Sequence, residues 1–78
     1  MPYIRVYAYS GRDIETKKKA AAALVKTASE VMGAPESAFT VSFEDIERED
    51  WERDVKEAVI DTIRDKVFID HGAVADVK

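Results

Sequence analysis

Cysteine is absent from this chain of 78 residues, which excludes disulfide bridges and thiolate metal sites and is compatible with a reducing compartment. Histidine is nearly absent: His71 alone is too few for a histidine-built metal centre. No long hydrophobic run exists, since the longest apolar stretch, Ala20 to Val25, is far short of the ~20 residues that cross a bilayer. The opening Met-Pro-Tyr-Ile-Arg-Val has no basic segment leading into an apolar one, so no signal peptide is expected. The chain therefore reads as soluble and cytoplasmic. Basic charge is also in short supply: 12 Lys and Arg against 16 Asp and Glu give a net charge of −4. Nucleic acid is thereby disfavoured as a partner, because phosphate binding needs a basic face.

At 8.8 kDa the chain has room for one domain, expected over residues 1–78, with 69–78 as a C-terminal tail. A chain this small buries only about 60% of the surface that its unfolded form exposes. It ordinarily needs a disulfide, a metal or a partner subunit for comfortable stability. With the first two excluded, a partner subunit remains.

Residues Tyr3 to Tyr9 alternate, with Ile4, Val6 and Ala8 on one face and Tyr3, Arg5, Tyr7 and Tyr9 on the other, the period of a strand. Ser10-Gly11-Arg12 breaks that pattern. Asp13 is placed to cap a helix whose apolar positions Ala20, Ala21, Leu24, Ala28, Val31 and Met32 recur at helical spacing. Gly33 and Pro35 end it. Phe39 to Ile46 alternates again. Strand, helix and strand predict a βαβ unit with parallel strands. Val55, Val59, Ile63 and Val67 recur every four residues and predict a second amphipathic helix from Trp51 to about Phe68. Two parallel strands are too small a sheet to stand alone, and three tyrosines face outward from the first. Pairing of two chains into a four-stranded sheet answers both problems, so a homodimer, or a higher assembly built from dimers, is expected.

Pro2 is the residue of greatest chemical interest. With Met1 excised it presents a secondary amine at the start of a strand. An ordinary α-amino group titrates at about 7.7–8.0, and burial or a nearby cation lowers that value towards the range where a general base works best at neutral pH. Arg12 lies in the turn where helix amides also open, and its fork is suited to a carboxylate. Trp51 is the sole tryptophan. The run Lys17-Lys18-Lys19 reads as a solvated helix face, and His71 as a residue without a role.

Met-Pro at the start, Gly11-Arg12, Ala34-Pro35 after a helix and an aromatic at position 51 together resemble the 4-oxalocrotonate tautomerase family, in particular its longer, dimeric branch. The resemblance runs from Pro2 to Trp51. It implies an α+β fold with a β-α-β protomer, assembled as dimers or as hexamers (trimers of dimers). It also implies a cofactor-independent isomerase acting on a small enol or keto acid. In that scheme Pro2 is the base, Arg12 binds the substrate carboxylate, and Trp51 and Tyr9 line the pocket. Thr40 stands where the best-known members carry a second arginine. A threonine donates one neutral hydrogen bond and no charge, so a monocarboxylate, such as a phenylpyruvate-like enol acid, is expected rather than a dicarboxylate. Two alternatives are a hydratase or dehalogenase of an unsaturated acid, in which Glu49, Asp50 or Glu52 activates water, and a non-catalytic dimeric domain of the same fold.

Overall fold

The computed structural model describes residues 1–76; Val77 and Lys78 of the expected tail lie outside the described residues. Strand β1 (Tyr3–Tyr9), helix α1 (Ile14–Met32) and strand β2 (Thr40–Ile46) follow in that order, with a short 3₁₀ turn, Glu36–Ala38, leading into β2. The two strands pair in parallel, in register from Tyr3 opposite Thr40 to Tyr9 opposite Ile46. The ladder continues by one bond beyond each end of the pairing. Thr40 N donates to the Pro2 carbonyl and Ser10 N to the Ile46 carbonyl, each at 3.1 Å. This is the β-α-β frame with parallel strands that the alternation predicts.

Register assigns the two faces of the sheet. Ile4, Val6 and Ala8 share one face with Val41, Phe43 and Asp45. Helix α1 covers that face, and Lys17 of α1 reaches Asp45 at 2.6 Å. Only 16% of the Lys17 side chain is exposed, so the lysine run is not a uniformly solvated face. Its first member ties helix to sheet through its charged tip.

Helix α1 begins and ends where its caps dictate. The Asp13 carboxylate accepts from Thr16 N at 2.8 Å, and that backbone bond holds its pKa below the usual carboxylate value. At the far end Gly33 takes a left-handed conformation and its N–H donates to the Ser29 carbonyl at 3.0 Å. The apolar stripe is wider than the sheet can cover: Ala20, Ala21 and Ala28 are partly buried, but Leu24, Val31 and Met32 remain exposed.

The chain divides into two compact units, Met1–Ile46 and Glu47–Lys78. The second unit corrects the expectation of a continuous helix from Trp51 to Phe68. A 3₁₀ turn at Arg48–Asp50 is followed by a π-helical segment, Glu52–Glu57, and a 3₁₀ stretch, Ile60–Lys66. The reasons are local. A stripe repeating strictly every fourth residue drifts by ~40° per step around an α-helix, so it does not hold one face. The run Val59, Ile60, Thr62, Ile63 is β-branched and stiff. Thr62 Oγ1 donates to the Val59 carbonyl at 2.6 Å, competing with the helical ladder. Val59 (φ −121°) and Ile63 (φ −129°) leave helical geometry altogether.

The expected tail is likewise corrected in part. Strands β3 (Ile69–Asp70) and β4 (Ala73–Val74) form an antiparallel hairpin around His71 and Gly72. Both turn residues have positive φ, 48° and 81°, the requirement of a tight two-residue hairpin turn. Among the described residues no helix is long and apolar enough to cross a membrane.

Two outcomes follow. Val55, only 2% exposed, is the most enclosed apolar side chain described, and Val55→Ala should lower unfolding free energy in urea by ~2 kcal/mol, from lost burial and the cavity left behind. Acid should weaken the fold through its paired carboxylates. Glu44, Asp54 and Asp61 are held below their ordinary pKa values by hydrogen bonds from Arg5, Arg53 and Lys56 respectively. A carboxylate with a depressed folded pKa stabilises above its unfolded value and loses that contribution as pH falls through the folded one. Urea midpoints should therefore be flat above pH ~5 and decline below pH ~4, modestly, because every pair is solvent-exposed.

Candidate active site

Pro2 sits immediately before β1, partly buried, with its carbonyl held by Thr40 N at 3.1 Å. The parallel register thereby brings Pro2 and Thr40, two of the sequence-predicted site residues, side by side. Met1 ahead of it is fully exposed.

Arg12 lies beyond the opposite end of β1. Its Nη1 donates to the Tyr9 carbonyl at 3.1 Å, so Arg12 and Tyr9 form a second neighbouring pair. That bond engages one of five guanidinium N–H donors. What joins Tyr9 to Arg12 is the tyrosine's backbone oxygen, a contact that side-chain reasoning does not anticipate. Between the two pairs lies the whole of β1, seven residues. At ~3.3 Å per residue that is roughly 20 Å, several times the reach of a small acid. Within one chain Pro2 and Arg12 thus stand at opposite ends of a strand. Trp51 belongs to the second unit, partly buried, at the junction of the 3₁₀ turn and the π-helical segment.

The face of the sheet opposite α1 carries a second arginine that was not singled out from the sequence. Arg5 Nε donates to Glu44 at 2.7 Å, its guanidinium lies 4.9 Å from the Tyr7 ring centroid, and the Glu44 hydrogen bond raises its pKa. Tyr3 and Ser42 share a 2.8 Å hydroxyl–hydroxyl bond on the same face. The alternation of β1 already put Arg5 beside three tyrosines, but the register that seats it across from Ser42, with Glu44 on the diagonal opposite Tyr7, was not legible without the pairing. Asp50 and Glu52, candidate water activators, are paired with Arg53 at 3.2 Å and Lys56 at 3.9 Å.

A parallel β-α-β frame with a proline ahead of its first strand and an arginine after it is the outline of a tautomerase. The family model described as tautomerase enzyme matches residues 2–63, beginning at Pro2 itself and spanning Tyr9, Arg12, Thr40 and Trp51. The chain belongs to the tautomerase family. No curated protein and no solved structure gave a match.

Proposed function

We propose that this protein is a cofactor-independent isomerase that interconverts the enol and keto forms of a small carboxylate-bearing substrate, with the amine of Pro2 as general base. The observation that carries this reading is the family match starting at Pro2, on a chain whose fold holds that residue at the head of the parallel ladder.

Excision of the exposed Met1 frees the proline nitrogen; while Met1 is attached that nitrogen is an amide without a basic lone pair. The free amine accepts the enol hydroxyl proton and, now an ammonium, returns a proton to the adjacent carbon as the carbonyl forms. Protons balance, and no redox step is needed. Arg12 binds the carboxylate and draws electron density towards it. Thr40, beside Pro2, offers a neutral hydrogen bond. The Tyr9 ring supplies apolar wall, which favours an aryl-bearing monocarboxylate.

The separation of Pro2 from Arg12 calls for a second copy. A two-fold axis at the sheet edge runs a strand antiparallel to its mate, which carries Pro2 of one chain towards the Arg12 end of the other. The same operation extends the two-stranded sheet to four strands. Exposure of Tyr3, Ile14, Val31 and Met32 also supports association, since each leaves apolar surface that a second copy would cover. A homodimer is the assembly proposed, with a trimer of dimers as its larger alternative.

Pro2→Ala, verified by mass spectrometry to lack Met1, should lose ~10²–10⁴-fold in kcat/KM for ketonisation of an aryl enol acid. Retention of the parent rate would refute the base assignment. Sedimentation equilibrium should give twice the 8.8 kDa chain mass, or six times for the larger assembly; a monomer at catalytic concentrations would exclude the shared site.

A further inference from the structure

We propose that Gly11 is a positioning residue, whose backbone conformation aims Arg12 at the substrate carboxylate; this rests on the reading of Arg12 as the carboxylate anchor. Gly11 has φ 125°, a conformation that residues with L side chains rarely adopt. The turn it makes is short and fixed at both sides. The ladder ends with Ser10 N on the Ile46 carbonyl, and the helix cap begins at Asp13, whose carboxylate holds Thr16 N. Gly11 and Arg12 alone bridge these two anchored points. The bond from Arg12 Nη1 to the Tyr9 carbonyl spans Gly11, so the side chain's direction depends on the backbone at that glycine.

Space is not what demands glycine here. A Cβ on Gly11 would meet nothing within 4 Å. The requirement is conformational: an alanine drives φ negative, turns the Arg12 peptide, and detaches the guanidinium from the Tyr9 carbonyl. Strand and helix keep their own anchoring bonds. The predicted consequence is selective, a loss of carboxylate recognition without loss of the pocket.

Chemical synthesis of the chain from Pro2 allows the test to include D-alanine, whose mirror-image preference reaches positive φ. Parent, Gly11→Ala, the D-alanine form and Arg12→Ala are compared by calorimetric titration with 3-phenylpropanoate and with its neutral amide. Gly11→Ala should weaken carboxylate binding ~10-fold or more, the order expected for one lost charge-assisted contact, and leave the amide within ~2-fold. D-alanine should restore carboxylate binding. Parent-like carboxylate affinity in Gly11→Ala, beside a loss in Arg12→Ala, would overturn the positioning role and spare the anchor. An equal loss for acid and amide, or no rescue by D-alanine, would also overturn it. If Arg12→Ala itself bound the acid normally, the anchor reading would fail.

Discussion

The parallel pairing of β1 with β2 is the constraint from which the rest of the first unit follows. Because Tyr3 lies opposite Thr40, Thr40 N is in place to hold the Pro2 carbonyl. Because Tyr9 lies opposite Ile46, the ladder can end at Ser10, and the chain must turn within two residues to reach the Asp13 cap. A one-residue slip would exchange the faces, turning Ile4, Val6 and Ala8 away from the helix and the tyrosines towards it. Burial on one face thus selects the register, and the register seats every candidate residue of that unit.

The same pairing leaves a sheet of only two strands. A parallel pair of strands is the least self-sufficient of sheets, since it is normally buried on both faces and flanked by further strands. Here α1 covers one face. The other is satisfied by polar contacts across the ladder, Arg5 to Glu44 and Tyr3 to Ser42. Exposed ion pairs of that kind contribute little to stability, so they fix side-chain geometry more than they hold the fold. Apolar side chains are also left in water on α1, Val31 and Met32 above all. Under the proposed reading, both the small sheet and the separation of Pro2 from Arg12 favour association with a second chain.

What could be read from the sequence divides along physical lines. Period-two alternation places β1, and the Asp13 and Gly33 caps place α1 at both ends, because each signal is a local backbone requirement that tertiary contacts do not override. The stretch after Trp51 misleads because spacing by four resembles a helical face while four β-branched residues oppose the helix. Only their torsions show which wins. The hairpin at Ile69–Val74 was legible in principle: His71-Gly72 supplies two positions tolerant of positive φ between two short strands. Of the site, Pro2 and Arg12 are visible as residue types, but their separation along β1 appears only once the strand is given its length.

That separation bears on how a proline amine is kept neutral under the proposed reading. Two effects lower an amine's pKa, removal from water and proximity of positive charge. Within one protomer Pro2 is only partly buried, and Arg12 is a strand's length away, too far for its charge to act strongly through solvent. Bringing a second chain alongside supplies both effects at once: it covers the amine and carries a guanidinium towards it. The guanidinium that binds the substrate's acid then also disfavours the ammonium form of the base. On this reading, with Thr40 in place of a second cation, one arginine would carry both tasks. Its aim, which we propose the turn at Gly11 sets, would then govern both the capture of substrate and the readiness of the base.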